Sequence, residues 1–462
     1  MRTLLSILGI LTFFLPTVTK GQDAVLEEYI ENGLKNNLVL QEKQIGLEQA
    51  LLGLKHARSY YLPEVAFQTM YSTAKGGRNI PLPIGDLLNG VYATLNQLSG
   101  TEQFPQIQNE TINFLPQNYY DAKIRTTVPI INTQIAHQVD ARRRQATMES
   151  YQIEIYRREL VQEIKTAYFN YLMALDGQQV YTSALDLARA GQGMQEKLLQ
   201  RGKGLPAYVL RAKSEVAQAE TELSHARDQV ENAGLYFNAL LNRPADAPID
   251  TGYNAGAALD RAIHLLYQDQ GVTTREELLA LEESVALNKE VVKLNKAQFI
   301  PTLSGFLDLG SQAEHFAFND QSRYYMLGLQ LNIPIFAGNR NRNQVKQAQL
   351  DVHAAELNLQ HIKRQLNLSA RVSRNKLENT YTAYQAACRQ LEAARSYHRL
   401  IERGYQAGVH SYIETLDARN QTTQAQIAVN VHKFQVLIAA ADLERQRATY
   451  TFKNPVSHEE NK

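Results

Sequence analysis

The 462-residue chain has one cysteine, Cys388, and no tryptophan. A single thiol excludes an internal disulfide and a cysteine metal cluster. It lies far from the start of the chain, so no N-terminal lipid anchor can use it. Charge of one sign is also missing: 48 basic residues face 47 acidic ones. A chain so balanced has no basic footprint for nucleic acid. After the first residues, no window holds eighteen apolar side chains, so no membrane-spanning helix is expected in the mature protein. Catalytic patterns are absent as well. The eleven histidines are scattered, with no His-Glu-x-x-His, no phosphate loop and no Gly-x-Ser-x-Gly turn. The composition therefore predicts neither an enzyme nor a cofactor or metal site.

Proline is missing where it matters most. Residues 130–205 and 335–454 contain none, and proline breaks helix interiors. The two windows predict helices from about Thr133 to Gln200 and from about Asn341 to Ile401. At ~1.5 Å per residue they reach roughly 100 and 90 Å, lengths that compact domains rarely need. Each ends at a glycine-centred break, 201–206 and 404–409, after which helical patterning resumes. Each break is thus read as the tip of a helical hairpin. After the first tip, Val209, Ala212, Val216, Ala219, Leu223, Ala226, Val230, Ala233, Phe237 and Leu240 form a heptad seam. Its alanines allow close approach of helix axes. The second return helix keeps that register at an offset of 204, from Ile413 through Leu416 to Ala441, with a more polar seam.

What is present is present twice. Ala57 to Leu62-Pro63 is echoed by Ala297 to Ile300-Pro301, and Val128-Pro129-Ile130 by Ile333-Pro334-Ile335. Between these junction prolines lie alternating stretches at about Glu64–Ala74, Tyr119–Ile130, Thr302–Ala313 and Arg323–Ile335. One apolar and one polar face over ~10 residues suits a membrane-barrel strand. A half-buried soluble sheet would alternate in the same way. Four strands cannot close a barrel, and open edges are not tolerated in lipid, so a membrane reading requires several chains. The offset is 238 at Pro63/Pro301 and 205 at Pro129/Pro334, which gives the first hairpin 33 more residues. They fall in a long loop over 76–117, polar and rich in small residues.

The expected organisation follows. Residues 1–21 are read as a signal peptide, 22–243 as the first repeat, 244–273 as an irregular inter-repeat segment, 274–452 as the second repeat and 453–462 as a polar tail. Thr274-Arg275-Glu276-Glu277 reads as a capping box opening the second repeat. Arg142-Arg143-Arg144 and Arg340 with Arg342, beside the strands, suit either lipid phosphates or solvent.

The order, duplication and spacing of these features resemble the TolC-like outer-membrane efflux protein family over about residues 23–452. The motifs are the four prolines, Gly204-Leu205-x-x-Tyr208-Val209 and Gly408-Val409-x-x-Tyr412-Ile413. The resemblance implies an α+β membrane protein and a homotrimer in which four strands per chain contribute to a 12-stranded outer-membrane β-barrel. Long coiled-coil helices would form a periplasmic α-barrel. It implies a channel of a tripartite efflux or type I secretion system in a Gram-negative outer membrane. The implied partners are outer-membrane lipid, a periplasmic adaptor (membrane fusion) protein and an inner-membrane RND or ABC transporter. Arg201, Gly204, Leu205, Gly408 and Val409 would lie at the adaptor contact. Pro206-Ala207 departs from the Ser or Thr that the family often has after the tip glycine. The rival reading is a periplasmic coiled-coil adaptor or scaffold, which would bury its strands in a soluble domain.

Overall fold

The computed structural model describes residues 24–267 and 275–453. The expected signal peptide, Thr274 of the capping box and the tail from residue 454 lie outside them. The chain divides into two compact units. One comprises 1–50, 145–285 and 354–462, the other 51–144 and 286–353. Among the described residues, no helix is long and apolar enough to cross a membrane.

The first unit is helical. It draws on α1 (Ala24–Asn36), α5 (Pro206–Leu240), α6 (Ala255–Tyr267) and α9 (Tyr412–Arg447). It also holds parts of α2 (Leu38–Ser59), α4 (Thr133–Gln200), α7 (Glu276–Ala297) and α8 (Arg340–Gln406). The proline-free windows became α4 and α8, of 68 and 67 residues. The core gathers Ile30, Leu160, Ile164, Tyr168, Phe237, Leu241, Leu377, Phe434, Val436 and Leu443. Tyr168 hides its ring there and donates its hydroxyl to the Asp250 carbonyl at 2.8 Å. Burying a hydroxyl is tolerable only with such a partner. The heptad seam of α5 packs inward along its whole length, each position buried or half-buried. On α9 the inward place at the start falls to Tyr412, and Ile413 is exposed.

The chain opens on two helices, not one. Asn37 separates α1 from α2. Its side chain accepts the Leu40 N–H at 2.9 Å and the Tyr156 hydroxyl at 3.2 Å, so it acts as the N-cap of a second helix.

The second unit holds an antiparallel sheet of order β1-β4-β5-β6. Its strands are β1 (Glu64–Ser72), β4 (Tyr119–Ile131), β5 (Thr302–Glu314) and β6 (Arg323–Asn332). Strand β4 pairs with both β1 and β5, which joins the two repeats in one sheet. Pro129 sits beyond the last β1–β4 pair, at an irregularity in the β4–β5 register. Proline donates nothing to a ladder and is confined to such places. Pro63, Pro301 and Pro334 lie just outside strand ends.

The 76–117 insertion is not a bare loop. It contains β2 (Asn79–Leu82) paired with β3 (Glu110–Asn113), and between them α3 (Ile84–Ser99).

Candidate functional site: the helical tips and the sheet faces

Both tips close by the same hydrogen bonds. At the end of α4, Gly202 has φ 70°. Its N–H donates to the Leu199 carbonyl, and the Lys203 N–H to Leu198, both at 2.9 Å. At the end of α8, Gly408 has φ 80°. Its N–H reaches Tyr405 at 3.0 Å and the Val409 N–H reaches Gly404 at 2.8 Å. This is a Schellman closure, with glycine taking the left-handed position at no steric cost. Geometry therefore matches Gly408 with Gly202, whereas sequence similarity aligns it with Gly204. Gly204 is constrained differently: a Cβ there would lie 2.7 Å from the Leu199 backbone nitrogen.

The return helices start by different means. Ser411 caps α9 with a full capping box. Its hydroxyl accepts the Glu414 N–H at 3.3 Å, and the Glu414 carboxylate accepts the Ser411 N–H at 2.6 Å. These bonds to Ser411, aided by His410, hold the Glu414 carboxyl below its usual range. Leu205 caps α5 with no side-chain bond, and Pro206 fills the first helical position. Proline's fixed φ suits that position, and its missing N–H would be unsatisfied there anyway. The departure noted at Pro206 is thus a change of capping chemistry.

Beneath the turns lies a tyrosine cluster. The Tyr208 and Tyr412 rings are 5.7 Å apart, and those of Tyr405 and Tyr412 6.3 Å. Buried Gln195 donates to the Tyr405 hydroxyl at 3.0 Å. The cluster ties α4, α5, α8 and α9 together at their ends. Only the spacing of Tyr208 and Tyr412 hinted at it in the sequence. Above it, Arg201, Leu205 and Val409 are exposed, Val409 at 76%.

The sheet has two unlike faces. Register places Val65, Phe67 and Tyr71 on one face with Ile124, Leu307, Leu309, Tyr325, Leu327, Leu329 and Leu331. Most of these large side chains are exposed, Leu327 at 76%. At the β5–β6 end, Phe316 and Phe318 lie against Tyr120, with centroids 5.8 and 4.5 Å away. The other face is charged. Arg125 grips Asp308 through two bonds of 2.7 and 2.6 Å, a bidentate, charge-assisted pair. Asp121 accepts from Lys123 at 2.8 Å and from the Tyr324 hydroxyl at 2.7 Å. Among the described residues, β1 and β6 each lack a partner on the outer side.

One grouping had no signal in the sequence. His137, Asp140 and Glu290 bring potential ligand atoms within 4.8 Å of one another. The carboxylates already pair with cations, Asp140 with Arg143 at 2.7 Å and Glu290 with Lys293 at 2.8 Å. Burial raises the Glu290 carboxyl, but bonds from Lys293 and His137 outweigh it and hold it low. His137, 3.3 Å from the Glu290 carboxylate, joins the α4 pair to the α7 pair.

The sequence pattern described as Outer membrane efflux protein matches residues 29–243 and 271–446. The chain is 22% identical over 306 residues to the alkaline protease secretion protein AprF of Pseudomonas aeruginosa, covering 65% of this chain and 63% of that one. It is 26% identical over 247 residues to the pyoverdine export outer membrane protein OpmQ of Pseudomonas putida, covering 52% and 51%. The matches thus span less than two thirds of either relative. In fold it is similar to the CmeC outer membrane channel of Campylobacter jejuni, with TM-score 0.71 and 16% identity over 93% of this chain and 86% of that one. With the duplicated strands and capped helical hairpins, the match over both halves shows that the chain belongs to the outer membrane efflux protein family, whose seat is the Gram-negative outer membrane.

Proposed function

We propose that three copies of this chain share one β-barrel and act together as a passive export duct. The observation that carries this reading is the four-stranded sheet, apolar and exposed on one face, charged on the other, and unpaired at both edges. In lipid each unpaired backbone group costs several kcal/mol, so open edges must be closed. Two-faced strands close well only around water. Three such sheets give twelve strands. The face bearing Asp121, Lys123, Arg125 and Asp308 would then line the lumen, and the face bearing Leu327 and Leu329 would meet lipid. The helical unit belongs in the periplasm.

The duct performs no chemistry and would draw its energy from an inner-membrane transporter of the RND or ABC class, reached through a periplasmic adaptor. The names of the two relatives, one for protease secretion and one for pyoverdine export, support a conduit whose cargo is chosen by the pump. The adaptor contact is assigned to Arg201, Gly204, Leu205, Gly408 and Val409. Exposed apolar side chains on a rigid, well-capped turn suit a docking surface. The test is to fractionate cells and follow export. An outer-membrane protein needed for export is expected. A soluble periplasmic protein, or unchanged export in the deletion strain, would refute the reading.

A further inference from the structure

Helix α3 is amphipathic the wrong way round for a helix folded against its own chain. Its packed face is built largely of polar side chains, with the Tyr92 ring set among them 5.7 Å from that of Phe104. Asn89 makes a double bond with the backbone of Ile107, donating to its carbonyl at 2.9 Å and accepting its N–H at 2.8 Å. Asn96 repeats this with Phe104 at 2.8 and 3.0 Å. Asp86 and Asn109 exchange two more bonds. Gly85 completes the face, since a Cβ there would lie 2.3 Å from the Ile107 carbonyl oxygen. Residues 85, 89, 92 and 96 share one side of the helix by their spacing.

The opposite side carries Leu87, Val91, Leu95 and Leu98, all exposed, Leu87 at 70% and Leu98 at 80%. Four large apolar side chains at helical spacing form a stripe that needs a cover. The side chains that latch α3 fix this orientation, so the stripe cannot turn inward. Ile84–Ser99 holds one acid, Asp86, and no basic residue, so the helix offers nothing to the phosphates of a lipid surface.

We infer that the stripe is a self-association surface, with the α3 helices of neighbouring copies packed on one another through Leu87, Val91, Leu95 and Leu98. This rests on the shared-barrel reading. The insertion joins β1 to β4, and β1 is an edge strand, which the shared barrel closes with another copy. Closing that edge gathers every copy of α3 at the same end of the barrel. The apolar seam between them resembles that of a short helical bundle.

The test uses the full-length protein in outer membranes, with Cys388→Ala removing the native thiol. Val91→Cys should oxidise to covalent dimers of this chain. Thr94→Cys, carrying a benzophenone label beside the stripe, should on irradiation attach to a second copy. Adding Leu87→Gln, Leu95→Gln and Leu98→Gln to Thr94→Cys should cut that yield at least five-fold. The native mass of the same preparation is measured in parallel. A three-chain particle whose label attaches to lipid or another protein, with no disulfide dimer, overturns the α3 proposal and leaves the shared barrel standing. A one-chain particle overturns both.

Discussion

Single residues decide how the tips close. Gly202 and Gly408 sit at φ 70° and 80°, where an L-residue costs ~1–2 kcal/mol. Gly408→Ala should therefore loosen its turn. The amide of Val409, bonded to Gly404 at 2.8 Å, should exchange about ten-fold faster, with no change in native mass. Unchanged exchange would contradict the closure described. The sequence showed glycine-centred breaks but not which glycine turns the chain. Two glycines lie within three residues of each other in the first tip, and only backbone geometry separates the turning Gly202 from the tightly packed Gly204. In the helical core, burial raises the Glu277 carboxyl. The Arg275 bond and the nearby Arg445 and Arg275 charges overcome this and hold it at about 2, against an ordinary 4.5. A group whose folded pKa is depressed contributes its stability above the unfolded pKa and loses it as pH falls through the folded one. The helical signal should thus melt at progressively lower temperature between pH 4.5 and pH 2. Glu277→Gln should cost about 2 kcal/mol near neutrality, since it removes the charged acceptor shared by Arg275 and Arg445 while Gln446 and Glu159 still hold them, and should flatten that pH dependence. Melting curves by circular dichroism against pH check both.

At the scale of elements, sequence pattern was a good guide wherever apolar residues face in or alternate. The absence of proline marked α4 and α8, the heptad seam marked α5, and alternation marked the four long strands. It failed where polar side chains do the packing. Asn37 breaks the opening helix by capping Leu40, an event local composition does not distinguish from an ordinary helical asparagine. Helix α3 lay in a stretch read as loop although Leu87, Val91, Leu95 and Leu98 recur at helical spacing there; what the sequence could not show is that this stripe faces out while Asn89 and Asn96 face in. The group of His137, Asp140 and Glu290 was invisible for another reason: its members come from helices about 150 residues apart in the chain. The two faces of β6 give a sharp test. Leu329→Lys places a charge on the apolar face and should cost ~2–4 kcal/mol if it falls mid-membrane. Gln330→Lys, one residue on and facing the charged side, should be tolerated. Heat-resistant trimer in outer-membrane fractions reads the difference. Equal loss in both variants would mean that the two faces are not divided between lipid and water.

For the whole molecule, the duplication and the single sheet have one consequence. A sheet with two open edges and one apolar face needs its edges closed in lipid, and the proposed duct closes them with two further copies. The most direct measurement is the native mass of the protein extracted from outer membranes in mild detergent, with its strand content checked by infrared absorption. A particle of three chains that keeps its sheet and falls apart with loss of sheet on heating is the expected result. A one-chain particle that retains the full sheet would show that the edges need no partner and would contradict the shared barrel.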